Sequence, residues 1–337
     1  MINCEIKHIE YVLPSVFLDN SFFKINNPDY NFKRFEKNVG IKSRYICNED
    51  ESTLTLAIKA VNKLISKNNI NKKDIDFLIL CTQSPEYMLP TTSCIIQERC
   101  DLPDSIGALD VNLGCSGYTY AISMAKAMIV SGQAKNVILV TSETYSKYIN
   151  KKDLINSLLF GDAATATLIS KSEYNGIENF IFGTDGSGYD KLIVKNNFFN
   201  KDTLASEKTY SGFNVYTDNN LYMNGPEVFN FTLDRIPTLV EEIYKKNKIN
   251  EDRINKYIFH QANMMLLEFV RKKAKIDKSK MFFYLSKTGN TVSNTIPIAL
   301  KEYSKVMDND CQKIVLAGFG VGLSWCGGII NLKNKIS

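Results

Sequence analysis

Short apolar runs, each bounded by polar residues or glycine, recur along the chain, and the segments between them carry helical spacing. Asp76-Phe77-Leu78-Ile79-Leu80-Cys81, Gly107–Asn112 and Asn136–Thr141 read as buried strands. Between the last two, residues 116–131 place Tyr120, Met124, Ala127 and Met128 at helical intervals, and Gly132 suits the end of that helix. A strand–helix–strand succession of this kind predicts parallel pairing through crossover helices.

The second half repeats the style. Residues 221–244 read as largely helical, punctuated by Pro226 and Pro237. Lys256–Phe259 is a short strand that ends at His260. A helix over 261–274 follows, with Met264, Leu267 and Val270 on its apolar face. Lys313–Ala317 is a strand, then comes a glycine-rich turn and a closing strand over 323–332. The segment 196–220 is polar and aperiodic and is expected to be a loop or excursion. The chain has 337 residues and 44% hydrophobic content, enough for two units of roughly 150 residues. The boundary is expected near 171–176, giving halves of 1–172 and 173–337.

Composition narrows the function classes. No uninterrupted apolar run of about 18 residues is present, so no membrane-spanning helix is expected. Met1–Lys7 lacks the apolar centre of a secretion signal and reads as the first strand of a cytoplasmic protein. The net charge of +5 is spread thinly, and no basic run interleaved with aromatics suggests nucleic acid. Arg271-Lys272-Lys273-Ala274-Lys275 reads as one solvated helix face. The eight cysteines include no CxxC pair, so reduced thiols are expected, and with two histidines, His8 and His260, a histidine-rich metal site is not.

Four short segments carry candidate chemistry. In Leu113-Gly114-Cys115-Ser116-Gly117 a strand ends, glycine turns the chain, and a cysteine is presented where a helix begins. Free N–H groups and partial positive charge at that terminus are expected to lower the thiol pKa. Phe259-His260-Gln261-Ala262-Asn263 delivers a histidine from a buried strand to the start of a helix, a placement suited to an acid–base or donor role. Lys287-Thr288-Gly289-Asn290 presents an asparagine after glycine. Ala317-Gly318-Phe319-Gly320-Val321-Gly322-Leu323 spaces glycines so that backbone N–H groups can approach a ligand. Leu323 replaces the last glycine of GxGxxG, which argues against a nucleotide loop. Taken singly, a small buried cysteine, a structural histidine and a turn asparagine remain open readings.

Together, these segments resemble the β-ketoacyl-acyl carrier protein synthase III family of the thiolase superfamily, over almost the whole chain. Cys115 in GCSG matches its acyl-accepting cysteine, and His260 in HQAN and Asn290 in GNT match its other catalytic residues. Val39-Gly40-Ile41 with Arg44, Thr141-Ser142-Glu143, Leu159-Phe160-Gly161-Asp162, Asn224–Phe229 and GFGVGLSW match as well. The resemblance implies an α/β fold of two similar halves, each a five-stranded sheet with helices, stacked as αβαβα layers, in a homodimer. It implies acyl transfer to Cys115 from acyl-coenzyme A or acyl-carrier protein, then decarboxylative condensation with a malonyl-type thioester in fatty acid biosynthesis, with no cofactor. The oxyanion would be held by the backbone of Cys115 and Val321. Leu89, Phe160, Phe229 and Phe319 would shape the acyl pocket, Leu89 across the dimer interface. Gln261, Ala262, Asn263, Met264 and Met265 would meet the carrier protein.

The chain also departs from the family. Arg34 and Leu154 stand where a Trp and an Arg clamp the adenine of coenzyme A, and Met265 stands where an Arg binds the carrier. Arg34, Lys151, Lys152, Arg271 and Lys272 are substitute candidates for an acidic carrier. An acyl transferase of the same fold acting on oxygen or nitrogen is the competing reading. A non-catalytic scaffold and a papain-like hydrolase fit the residue set less well.

Overall fold

The computed structural model describes residues 2–195, 206–210, 212–308 and 311–336. Nine strands build two main sheets. In the first half these are β1 (Asn3–Val12), β2 (Phe77–Cys81), β3 (Gly107–Val111), β4 (Asn136–Glu143) and β5 (Ala163–Ser172), in spatial order β1-β5-β4-β2-β3. β2 is parallel to both β3 and β4, as the strand–helix–strand succession predicts, whereas β5 runs antiparallel between β1 and β4.

The second sheet comprises β6 (Ile177–Thr184), β7 (Lys256–Phe259), β8 (Gln312–Gly320) and β9 (Ser324–Leu332), ordered β7-β8-β9-β6. It has four strands among the described residues, where the resemblance implies five. A lone parallel bridge between Tyr257 and Met281 marks the free edge of β7. The ladder stops there because the next available N–H, from Tyr284, donates to the Gln261 side chain at 2.8 Å rather than to β7.

Six of the helices form the layers. α1 (Thr53–Lys67) and α2 (Thr92–Arg99) cover the outer face of the first sheet. α3 (Gly117–Val130) and a later helix lie between the sheets, and α4 (Gly225–Asn247) and α5 (Met264–Lys273) cover the outer face of the second. The later central helix is α6 (Thr295–Val306). The order is αβαβα. α3 can be sandwiched because it is apolar or small almost all round: Tyr118, Ala121, Ile122, Ala125 and Ile129 are buried. They meet Ile9 and Leu139 of the first sheet and Ile258, Leu316 and Ile330 of the second in one continuous core. Each such Ile or Leu contributes about 1.5–3 kcal/mol by leaving water.

Several boundaries differ from the sequence pattern. Leu221–Met223 is a strand paired with Leu192–Val194, not the start of a helix. α4 begins only at Gly225, because the Asn224 side chain caps it and Pro226 fits its first turn. α5 begins at Met264, with Asn263 accepting from the Leu266 N–H at 2.8 Å. Of the polar excursion, 196–205 and 211 lie outside the described residues. Lys208–Tyr210 and Asn214–Tyr216 form a two-stranded ribbon rather than a plain loop. The ribbon docks on the first half through Leu154 N–H to Phe213 O at 3.1 Å and Asn214 to Asp153 at 3.2 Å.

Candidate active site

The two halves meet where β3 and β7 end, and that junction gathers three of the four segments singled out above, with the glycine-rich turn beside them. Cys115 sits in the turn after β3, two residues ahead of α3, and is 5% exposed. Its closest approach is to the glycine-rich turn. A Cβ on Gly320 would stand 2.8 Å from the Cys115 Cβ and 3.1 Å from its sulfur. Only glycine therefore lets β8 pass the nucleophile, which brings the Val321 N–H to the thiol alongside that of Cys115 itself.

Those two N–H groups favour a thiolate, as the sequence suggests, but they do not win. Burial comes first and the Glu143 carboxyl second, and together they push the Cys115 thiol up to about 12. The expectation of a lowered thiol pKa is thus corrected. Full desolvation of the sulfur outweighs a helix terminus two residues away.

His260 continues β7 by one residue, its N–H donating to Ala317 O at 2.8 Å. The imidazole is buried, which pushes it down to about 3, with hydrogen bonding at the Val292 backbone pulling weakly the other way. It is therefore neutral across physiological pH. Its Nδ1 lies 2.7 Å from Thr295 Oγ1, and that hydroxyl also reaches Val292 O at 3.0 Å. The Thr295 hydroxyl can thus sit against either ring tautomer, leaving Nε2 as the atom on the open side.

Asn290 is held by both halves. Its N–H donates to Leu159 O at 2.9 Å and its carbonyl accepts from Gly161 N–H at 3.1 Å, so the LFGD segment of the first half forms a bridge to it. Its Oδ1 accepts from Val292 N–H at 2.9 Å, which leaves the amide NH2 as the donor end of the side chain. Val292 has φ 56°, a left-handed conformation that costs a β-branched residue about 1–3 kcal/mol. The cost is met because both polar groups of Val292 serve the site: its N–H orients Asn290, and its carbonyl holds Thr295.

Cys115, His260 and Asn290 line the inner end of one narrow, mainly apolar cleft with Phe160, Phe319 and Gly320. Its walls toward solvent come from Leu192, Met223, Gly225, Val228, Phe229, Ala262 and Asn263. Phe160, Phe229 and Phe319 thus line the cleft. Leu89 does not: it is 81% exposed in the run Tyr87-Met88-Leu89-Pro90, away from the cleft of its own chain. Ala262 and Asn263 lie on the wall, Met264 packs against Gly40, and Met265 is exposed. Gln261 is fully buried and spent on Phe259 O at 2.6 Å and on Tyr284, so it cannot face a carrier protein.

Sequence reasoning missed Thr295 and the wall residues Leu192 and Met223. The last two belong to the paired short strands Leu192–Val194 and Leu221–Met223. No periodicity in three-residue strands could have exposed them.

Comparison with known proteins places the chain among its relatives. The family model described as 3-oxoacyl-[acyl-carrier-protein (ACP)] synthase III matches residues 109–186, and its C-terminal counterpart matches 244–332. The β-ketoacyl-[acyl-carrier-protein] synthase III of Clostridium novyi is 34% identical over 337 residues, 98% of this chain and 99% of that one. That of Clostridioides difficile is 33% identical over 324 residues, covering 94% and 95%. A crystal structure of a 3-oxoacyl-(acyl-carrier-protein) synthase III superposes with TM-score 0.94 at 38% identity, over 98% of this chain and 100% of that one. The Burkholderia xenovorans 3-oxoacyl-(acyl-carrier protein) synthase superposes with TM-score 0.91 at 33% identity, over 99% and 95%. With a third or more of the residues identical over nearly the full length, the chain belongs to the 3-oxoacyl-[acyl-carrier-protein] synthase III family of acyltransferases.

Proposed function

We propose that this protein transfers an acyl group from a thioester to Cys115 and then joins it to a malonyl-type thioester, releasing carbon dioxide and a 3-oxoacyl thioester. The observation that carries the reading is the convergence of a buried thiol, a neutral imidazole and an oriented carboxamide at the end of one cleft, with two backbone N–H groups at the sulfur.

A thiol held near 12 must give up its proton as it attacks. The neutral His260, with its proton on Nδ1, offers Nε2 as the acceptor. The tetrahedral oxyanion rests on the N–H groups of Cys115 and Val321, and the departing thiolate takes the proton back. In the second half-reaction the malonyl C–C bond breaks, and its electron pair forms an enolate. The Asn290 NH2 and the neutral His260, in the tautomer that carries its proton on Nε2 and accepts at Nδ1 from the Thr295 hydroxyl, donate to the enolate oxygen. The enolate carbon attacks the acyl carbonyl, the C–S bond breaks, and Cys115 leaves as a thiolate that takes a proton from solvent. Nothing in this sequence of steps calls for a cofactor. The reading carries with it a cytoplasmic homodimer served by an acyl carrier protein in fatty acid biosynthesis, with Leu89 reaching the acyl pocket of a second subunit.

The test is intact-protein mass spectrometry with a panel of acyl thioesters, followed by addition of malonyl-carrier protein. Acyl mass should map to the Cys115 peptide, vanish in Cys115→Ala, and be released as a 3-oxoacyl thioester. Acylation that persists in Cys115→Ala sinks the reading. So does acyl-enzyme that turns over only onto oxygen or nitrogen acceptors.

A further inference from the structure

The end of β4 carries a buried carboxyl that the steps above do not use. Glu143 is wholly inaccessible to solvent. Its Oε1 accepts from the Ser293 hydroxyl at 3.0 Å, three residues beyond Asn290 and in the second half of the chain. Its Oε2 accepts from the Ser84 hydroxyl at 3.1 Å, and the Gln83 N–H reaches both oxygens at 3.2 and 3.3 Å. Gln83 in turn lies against the turn that presents Cys115. A Cβ on Gly114 would stand 2.4 Å from Gln83 Oε1, which already accepts from Tyr145 Oη at 2.6 Å.

Strand alternation explains why one short run does this. Thr141 and Glu143 share a face, and Thr141 Oγ1 donates to Asn294 Oδ1 at 2.6 Å, the residue after Ser293. Ser142 points the other way and bonds Thr53 O at 2.8 Å. The strand end thus grips two consecutive residues of the Asn290 turn with two alternate side chains. A buried carboxylic group is a costly way to make such a joint, since an amide or hydroxyl could accept the same bonds.

We propose that Glu143 is a positioning residue for the condensation, registering the Asn290 turn of one half against the Cys115 turn of the other. The proposal rests on the reading of Cys115 and Asn290 given above. It has an electrostatic consequence. The groups facing Glu143 are Cys115, Cys81, Tyr145, Tyr148 and Asp162, all neutral or acidic, and no cation opposes it among the described residues. Burial therefore raises its own carboxyl to about 8, and once charged it works against a Cys115 thiolate. Joint and charge are separable. Ser293→Ala breaks the contact between halves and keeps the charge, whereas Glu143→Gln keeps the shape and removes the charge.

The experiment measures three quantities on the full-length enzyme: the pH profile of Cys115 alkylation by iodoacetamide, the rate of self-acylation, and the rate of condensation from preformed acyl-enzyme. Glu143→Gln should shift the alkylation profile down by about half a pH unit or more. Ser293→Ala should leave that profile in place, spare self-acylation within about twofold, and slow condensation about tenfold. Unfolding midpoints report whether each variant is intact, and Ser293→Thr, which restores a hydroxyl, should recover condensation. An unmoved alkylation profile in Glu143→Gln, or equal losses of acylation and condensation in Ser293→Ala, overturns the proposal. A wild-type enzyme that is alkylated at Cys115 but never acylated would instead overturn the proposed function, so the two failures are distinguishable.

Discussion

The inner end of the cleft and its mouth are built on different principles. At the inner end, Cys115, His260 and Asn290 each hang from the end of a strand or from a bridge between halves, and nearly every polar atom around them has a partner. At the mouth the walls come from the Ala262-Asn263 turn, the short strands that carry Leu192 and Met223, and the start of α4. Where the family resemblance places an adenine-binding Arg, Leu154 is 5% exposed in an apolar cluster with Phe32, Phe35 and Leu158. Its N–H is taken by Phe213 of the ribbon. Arg34, in the place of the Trp, lies exposed on the helix Phe32–Val39. The three reacting groups are each held by strand ends or bridges, whereas the two positions the resemblance assigns to the adenine clamp carry Arg34 and Leu154 instead, and the two regions can be tested separately.

The largest effects belong at the inner end. Asn290→Ala should slow condensation by about 3 kcal/mol, roughly a hundredfold, and leave self-acylation nearly intact, because its NH2 serves only the enolate. His260→Ala should lose as much in condensation and also lose self-acylation, because Nε2 is the proposed acceptor of the thiol proton. Single-turnover acylation followed by mass spectrometry separates the steps. Equal acylation rates in the two variants would remove His260 from the first half-reaction.

At the mouth the effect should be smaller. Without an aromatic face and a cation for adenine, stacking of about 1–3 kcal/mol is forgone, some tenfold to hundredfold in affinity. Acyl groups on coenzyme A should therefore load Cys115 more slowly than the same groups on a carrier protein. Added salt should weaken the carrier reaction through exposed Arg34, Lys151 and Lys272. Arg271 drops out as a candidate, since it is spent on Glu268 at 2.9 Å and on Ile276 O at 2.8 Å, and Lys152 pairs with Glu207. Fast, salt-insensitive acylation by acetyl-coenzyme A at low micromolar concentration would show that the mouth still recognises the nucleotide.

This division also decides what the sequence reveals. Strand ends are written in apolar runs, so Cys115 and His260 can be placed from Gly107–Asn112 and Lys256–Phe259 alone. The parallel pairing of β2 with β3 and β4 follows from the same runs. The partners that tune those residues are not legible in this way. Thr295 reaches His260 through a left-handed Val292, and Glu143 reaches Ser293 across 150 residues, contacts set by tertiary register rather than local spacing. The thiol pKa departs from what the motif implies for the same reason. A motif shows the helix terminus nearby but not the burial of the cysteine.

The buried titrating groups at the inner end give a pH signature that the exposed mouth cannot. Unfolded His260 takes a proton below about 6.5, which the folded site refuses until about 3, so stability present above that window is lost as pH falls through it. Glu143 acts in the opposite sense. Its folded pKa of about 8 lies above the ordinary 4.5, so its contribution is complete in acid and is lost as pH rises through 8. Denaturant midpoints measured from pH 3 to 9 should fall on both sides of a maximum. His260→Gln should flatten the acid side and Glu143→Gln the alkaline side. Identical profiles in the variants and the wild type would show that other groups set the limits.

The smallest effect expected lies outside the chain's own cleft. Leu89 is exposed beside Tyr87 and Met88, a run of three large apolar side chains facing solvent. Such a run is costly on a lone protomer, and a second copy of the chain would cover it. If Leu89 then closes the partner's acyl pocket, its volume sets the room left for the acyl chain. Leu89→Phe adds bulk there and touches nothing at Cys115, His260 or Asn290. It should shift preference toward short acyl groups by a few-fold, since one or two methylenes in an apolar pocket discriminate by only about 1–3 kcal/mol. Acylation rates across a series from acetyl to octanoyl, measured beside the oligomeric state in solution, provide the check. An unchanged chain-length profile in a dimeric enzyme would place the pocket wall elsewhere, and a monomer that condenses normally would show that the cleft is complete within one chain.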